Sequence, residues 1–497
     1  MTYRRTTPAV SAVSPSSEPS TSSIPPQDNT VPTPADAPTA HRPVSTPLAC
    51  PQQAYTEPQR VRPTRPNVRH DQHSARPRPD AAQVVADVAR RLADPCAVEG
   101  IAVAAENTDT YTDGPARPPW EPLSLIEGFC GVALLPAELG RTEAAARSTA
   151  HAYLVAAGAP SWSPRSPTGL YEGPAALAFA ARAAAHKPGD YATLRGRLDQ
   201  AVLTHVEVLA AAPAAPSRYE VLGGLAGLGR HLLADGPQHR DALGTVLRSL
   251  VRLAEPVPAH GTELSGWWRG GDGPVSRVSL GMAHGIAGPL ALLALADRHG
   301  SRVPGAQGAV DRMVQWLLSW RQYDEAGPFW PVEVSLREQL AGGLEQQPRA
   351  RAGWCHGSAG IARALQLAGL AHGRPDWSQA GLDALDAVLA RTLGPVPMAN
   401  TGLCHGWAGL LRITQLIARD AATDAFDDRL DAVAEAVRGG FRPDSPFGFA
   451  LVSPGEVHLA RDRAGFLEGA AGIALALHAH LRRADPVTGW DMALLID

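Results

Sequence analysis

Two stretches decide the fold: Gly353-Trp354-Cys355-His356-Gly357-Ser358-Ala359-Gly360 and Gly402-Leu403-Cys404-His405-Gly406-Trp407-Ala408-Gly409. Both contain Cys-His-Gly-x-Ala-Gly, and each runs into an apolar segment, Ile361-Ala362-Arg363-Ala364-Leu365 in the first case. Working outward, the same frame returns with other residues ahead of the first glycine. The copies are Ile126-Glu127-Gly128-Phe129-Cys130-Gly131, Tyr171-Glu172-Gly173-Pro174-Ala175-Ala176 and Leu222-Gly223-Gly224-Leu225-Ala226-Gly227. Ala283-His284-Gly285-Ile286-Ala287-Gly288 and Leu467-Glu468-Gly469-Ala470-Ala471-Gly472 complete a set of seven. A unit that returns every 45 to 72 residues marks a repeat architecture.

Between the patterns lie amphipathic segments. Residues 194–211, 306–322, 377–393 and 426–441 place apolar side chains near i, i+3, i+4 and i+7, the signature of helices with one buried face. Each repeat therefore reads as one helical hairpin, with the glycines where a loop enters its second helix. Glycine allows close backbone approach and positive φ there. Hairpins of this kind bury their inward faces in an open superhelix or in a closed ring. The inner runs are nearly all small and apolar, which favours closure. The expected fold is all-α: an α/α toroid of seven helical hairpins. In such a ring the seven glycine loops share one end, and the residues before the glycines converge. The long step from Gly285 to Gly357 marks an insertion, and residues 327–335 read as a short β excursion.

Composition narrows the function. The 497 residues are 44% hydrophobic and carry a net charge of −4, a poor match to nucleic-acid binding. There is a single lysine, Lys187, and no GxxxxGK[ST] phosphate loop. No apolar run approaches the ~20 residues of a membrane span, and no apolar h-region follows Arg4 and Arg5. Residues 1–80 are rich in Pro, Ser, Thr and Arg and read as a disordered tail; residues 81–497 form the folded domain. The odd set Cys50, Cys96, Cys130, Cys355 and Cys404 argues for a reducing, cytoplasmic location. Cys96 and Cys130 read as packing residues.

Before the first glycine, three repeats carry histidine, namely His284, His356 and His405, and two of these follow cysteine. Thiolate and imidazole are preferred zinc ligands, and three protein ligands with an open fourth position is the catalytic arrangement. Cys355, Cys404 and His405 are the expected zinc-binding set. Glu127, Glu172 and Glu468 occupy the histidine position in three other repeats and are expected to hydrogen-bond glycine-loop amides.

The two Cys-His-Gly motifs, together with the glycine repeats over residues 82–497, resemble the lanthipeptide cyclase (LanC-like) family. The resemblance implies the seven-hairpin toroid, Zn2+ on Cys355, Cys404 and His405, and roles for four further residues. His284 matches a histidine of proton transfer, and Arg351 an active-site arginine. His356 sits where the family has Tyr or His. Glu220 sits where characterised cyclases carry aspartate, with an added methylene in its reach toward Arg351. The family adds a peptide cysteine thiol to dehydroalanine or dehydrobutyrine, forming (methyl)lanthionine. Its implied partners are a dehydrated precursor peptide, leader and core, and a separate dehydratase, since the chain shows no kinase or lyase domain. Two alternatives stay open. One is a LanC-like protein that binds a thiol, such as glutathione or a protein partner, without cyclising. The other is a different α/α-toroid enzyme, a prenyltransferase or a glycosidase, the latter needing paired carboxylates.

Overall fold

Helices of two kinds alternate along the chain. The computed structural model describes residues 79–107, 119–159, 166, 168–212, 215–270, 276–345, 349–394, 398–451 and 461–497. The expected disordered tail lies outside these residues except at its last two positions. The apolar runs after the glycines are helices buried on nearly every side: α2 (Phe129–Leu139), α4 (Gly173–Ala184), α6 (Leu225–Asp235), α8 (Ala287–Arg298), α10 (Ser358–His372), α12 (Trp407–Asp420) and α14 (Ala470–Arg482). The others bury one stripe: α1 (Ala81–Arg91), α3 (Ala144–Gly158), α5 (Ala192–Ala211), α7 (Arg240–Ala254), α9 (Ala306–Ser319), α11 (Pro375–Thr392) and α13 (Asp427–Gly439). In α7 the stripe is Leu243, Val246, Leu247, Leu250, Val251, Leu253 and Ala254, close to the helical period.

The inner helices close a ring. Each even-numbered helix packs on the next, α2 on α4 and so on, and α14 returns to α2. Each outer helix from α3 to α13 folds back on the inner helix before it. The tight hairpins thus run from inner to outer helix, opposite to the sense read from the sequence. This leaves α14 without an outer helix after it, and α1 takes that place. The seventh hairpin joins the first and last long helices and closes the ring.

Close approach, not positive φ, explains the glycines. Among the seven first glycines, Gly173 has a positive φ and the others do not. At Gly357 a Cβ would lie 2.1 Å from the Gly353 carbonyl oxygen, and at Gly360 2.2 Å from that of Trp354. The loop runs back so tightly under the first turn of α10 that no side chain fits.

The loops themselves form a hydrogen-bonded circle. Leu125 N–H donates to Tyr171 O (2.9 Å), Tyr171 to Leu222 (3.1 Å), Val221 to Ala283 (2.9 Å) and Ala283 to Cys355 (3.0 Å). Cys355 then donates to Cys404 (3.1 Å), Cys404 to Leu467 (2.9 Å), and Phe466 back to Leu125 (3.2 Å). In five of the seven loops a further glycine stands four residues before the first, and it seats the loop on its neighbour: a Cβ on Gly353 would lie 2.6 Å from His405 Cα, and one on Gly281 2.6 Å from His356 Cα. All inner helices therefore point their N-termini at one mouth, where their dipoles favour negative charge.

The ring is not hollow. Residues Trp490–Leu494 form a short 3-10 turn, and this segment is buried among the inner helices. Tyr171 OH donates to Ala493 O (2.8 Å), Trp354 Nε1 to Leu494 O (2.8 Å) and Arg363 Nε to Ile496 O (2.6 Å). Arg363 is fully buried and also pairs with Asp420 at 2.8 Å. Removing one partner of a buried ion pair costs about 3–5 kcal/mol. Arg363→Ala is expected to lose about that much in chemical denaturation, through the floor of the ring.

The insertion carries the β structure expected near residue 330. Arg277–Ser279 pairs antiparallel with Glu333–Ser335, and Gln322–Asp324 with Gly327–Phe329.

Candidate metal and proton-transfer site

The circle of loops brings Cys355, Cys404 and His405 together at the mouth. Their two sulfurs and one ring nitrogen all lie within 4.8 Å of one another. Both cysteines are buried and neither forms a disulfide. The Cys355 backbone is fixed from below, because Trp354 is anchored on Leu494. The His405 ring is oriented by Asn400, whose Nδ2 lies 2.9 Å from Nε2 while its Oδ1 accepts the Gly402 N–H at 3.0 Å. Glu468 Oε1 lies 3.9 Å from His405 Nδ1. Two buried sulfurs and a half-buried imidazole, converging and braced by polar neighbours, are a donor set that fits zinc. Asn400 belongs to no motif, so sequence reading missed it; its contact depends on the turn that brings it back over His405.

The other histidines stand beside this cluster. His284 Nδ1 is hydrogen-bonded to Glu220 Oε2. The His284 and His356 rings stack, with centroids 5.0 Å apart and planes inclined by 22°. His356 Nδ1 lies 3.3 Å from Ser279 Oγ. Glu220 thus pairs with His284 rather than Arg351. Arg351 is exposed, and its guanidinium forms no ion pair among the described residues.

The remaining loop acids fill the opposite arc. Glu127 accepts the Ala464 and Gly465 N–H groups at 3.2 and 3.0 Å, so it ties the last loop to the first in the expected way. Burial pushes its carboxyl up to about 8, against the opposing pull of Arg463 and of those two hydrogen bonds. Glu172 does not follow the expectation: its carboxylate bonds no loop amide among the described residues. A Cβ on Gly223 would lie 3.6 Å from Glu220 Oε1 and 3.7 Å from Glu172 Oε1. The two acids share the space that a side chain at Gly223 would fill. Burial, and then the charges of Glu220 and Glu121, raise the Glu172 carboxyl above its usual range. Glu172→Gln removes this repulsion and breaks no amide bond. It is expected to leave the melting temperature unchanged or higher at neutral pH, and a clear fall would restore the loop-stabilising role.

Cys130 packs inside α2, and burial pushes its thiol well up. Cys96, expected in the core, is exposed, because the short helix Pro95–Ala102 buries Val98 and Ala102 instead.

A mostly helical toroid with a thiol–imidazole cluster at one mouth defines the class. The chain belongs to the lanthionine synthetase C-like family, whose model matches residues 119–495. Among solved structures it is similar to nisin cyclase, with a TM-score of 0.61 and 20% identity over 76% of this chain and 92% of that one. A weaker likeness, with a TM-score of 0.38 and 9% identity over 84% of this chain and 98% of the other, is to an inactive α-1,6-mannanase variant of Salegentibacter sp.. No curated protein sequence matches the chain. No helix among the described residues is long and apolar enough to cross a membrane.

Proposed function

We propose that the protein is a zinc-dependent lanthipeptide cyclase, adding peptide cysteine thiols to dehydroalanine or dehydrobutyrine to form (methyl)lanthionine rings. The observation that carries the reading is the convergence of Cys355, Cys404 and His405 beside the His284–Glu220 pair, at the mouth of a toroid of this family. The name of the structural neighbour, nisin cyclase, points the same way. Zinc held by Cys355, Cys404 and His405 supplies the positive charge that lets a thiol ionise at neutral pH.

The chain's own groups manage charge and proton. A peptide thiolate adds to the β-carbon of the dehydro residue; the C–S bond forms as the C=C π pair moves into an enolate. His284, oriented by Glu220, delivers a proton to the α-carbon, and imidazole is suited to this near neutral pH. His356, stacked on His284 and placed by Ser279, is the second proton-transfer group. The exposed Arg351 offers its charge to the enolate oxygen. The proton lost by sulfur equals the proton gained by carbon, so product and substrate are isomers.

Residues 81–497 form the cyclase domain. The protein works in the cytoplasm on a dehydrated precursor peptide, leader and core, supplied by a separate dehydratase. The test is incubation with such a peptide, scoring loss of thiols by alkylation and mass spectrometry. Thiol loss that stops on chelation and in His284→Asn, about 10²–10⁴-fold for a positioned acid, is the expected result. Zinc-loaded protein that leaves every thiol free overturns the reading and leaves thiol capture without cyclisation.

A further inference from the structure

A second group of ligand-type side chains lies at the opposite end of the ring. It spans the C-terminal end of α6, the 3-10 turn Pro237–His239 and the facing flank of α5. Asp235 closes α6, whose first turn lies at the mouth, so this group is about 16 Å from the glycine loops at 1.5 Å per residue. Donor atoms of Asp199, Asp235 and His239 all lie within 4.8 Å of one another. His239 Nε2 sits 3.1 Å from Asp235 Oδ2 and 3.5 Å from Asp199 Oδ2.

The independent observation is His231. It is 1% exposed, and neither of its ring nitrogens has a hydrogen-bond partner among the described residues. A buried imidazole in that state carries a desolvation cost that a ligand would offset. Its Nε2 stands at the edge of the group, 4.0 Å from Asp199 Oδ1. Two ligands on a tetrahedral ion, each about 2.0–2.1 Å from it, stand about 3.3 Å apart; the separations here bracket that value. Imidazole with carboxylate is a set for zinc and related divalent transition metals, not for calcium.

The geometry points to a second metal site, in which Asp199, Asp235 and His239 hold one divalent transition-metal ion beside the buried His231 and pin α5 to the corner after α6. Arg195 pairs with the other oxygen of Asp235, and Gln238 Nε2 lies 3.2 Å from Oδ2. Both keep that carboxylate oriented, and the Gln238 amide gives way when the ion binds. The alternative is a metal-free Asp–His–Asp ion cluster with an unsatisfied neighbour.

Cobalt(II) distinguishes the two ends of the ring. Thiolate ligation at the mouth produces a sulfur-to-cobalt charge-transfer band; an imidazole–carboxylate site does not. In the full-length Cys355→Ala/Cys404→Ala variant, one equivalent of cobalt is expected to bind without that band. Adding Asp199→Asn and His239→Gln is expected to abolish it. If the cysteine variant does not fold, the count is made in otherwise wild-type chain. There Asp199→Asn/His239→Gln, checked for folding by circular dichroism, lowers cobalt per chain by one and leaves the sulfur band intact. No cobalt in the folded cysteine variant, or the same amount with Asp199 and His239 replaced, overturns the site and leaves the ion cluster.

Discussion

If the proposed function holds, Cys404→Ala is expected to lower zinc by one ion per chain and to abolish thioether formation while the chain still folds. The side chain contributes one buried sulfur, but the structural work of this residue is done by its backbone. Its N–H donates to Leu467 O at 2.9 Å, and its carbonyl accepts Trp354 and Cys355 N–H groups at 3.0 and 3.1 Å. Alanine keeps all three links of the loop circle, so the stability change is on the order of 1 kcal/mol. The chemical loss is far larger. Metal activation of a nucleophile supplies several kcal/mol, and each 1.36 kcal/mol is tenfold in rate, so turnover falls by about 10³ or more. Zinc per chain by elemental analysis, beside the thiol-loss assay, reads both effects. Cys130→Ala is the control, since Cys130 lies in the core of α2 and its loss leaves metal and rate in place. A Cys404→Ala protein that keeps wild-type turnover would refute the assignment of this cluster.

Why the cluster could be read from the chain at all is a matter of symmetry. Seven copies of one loop must occupy equivalent positions in a closed ring. Residues at one register of the repeat are then neighbours regardless of their distance in sequence, and Cys355, Cys404 and His405 needed no further information. What depended on side-chain reach was not readable in this way. Glu220 lies on the run into its loop, three residues before Gly223, and whether it met Arg351 or His284 depended on side-chain placement that the repeat does not encode. Glu127 and Glu172 share one register, yet only Glu127 meets loop amides, because Gly223 leaves Glu172 facing an acid. The segment after Trp490 belongs to no repeat. Its apolar run Ala493-Leu494-Leu495-Ile496 is buried, but nothing in a sevenfold pattern says what fills the axis. The same holds for the partner of α1: periodicity establishes an outer helix, and closure of the ring decides which inner helix it covers.

Glu127 is expected to cost the folded chain stability as pH rises from 4.5 to about 8, and Glu127→Gln is expected to remove that contribution. The Glu127 carboxyl is raised from 4.5 to about 8 by burial, with Arg463 and two backbone hydrogen bonds pulling the other way. The sign follows from the proton count. Below 4.5 the acid is protonated in both folded and unfolded chains and costs nothing. Between 4.5 and 8 the unfolded chain releases this proton and the folded chain keeps it, so unfolding is increasingly favoured. Above 8 both states are ionised and the penalty stays level. At 1.36 kcal/mol per pKa unit, the full penalty is on the order of 4–5 kcal/mol. Glutamine keeps an oxygen that accepts the Ala464 and Gly465 amides but cannot ionise, so the link between last and first loops survives. The difference in unfolding free energy between Glu127→Gln and wild type, from urea titrations across this pH range, is therefore expected to grow in favour of the variant as pH rises. A difference that stays flat with pH would mean that Glu127 titrates as an ordinary surface acid, and that the ring is not closed by a neutral carboxyl.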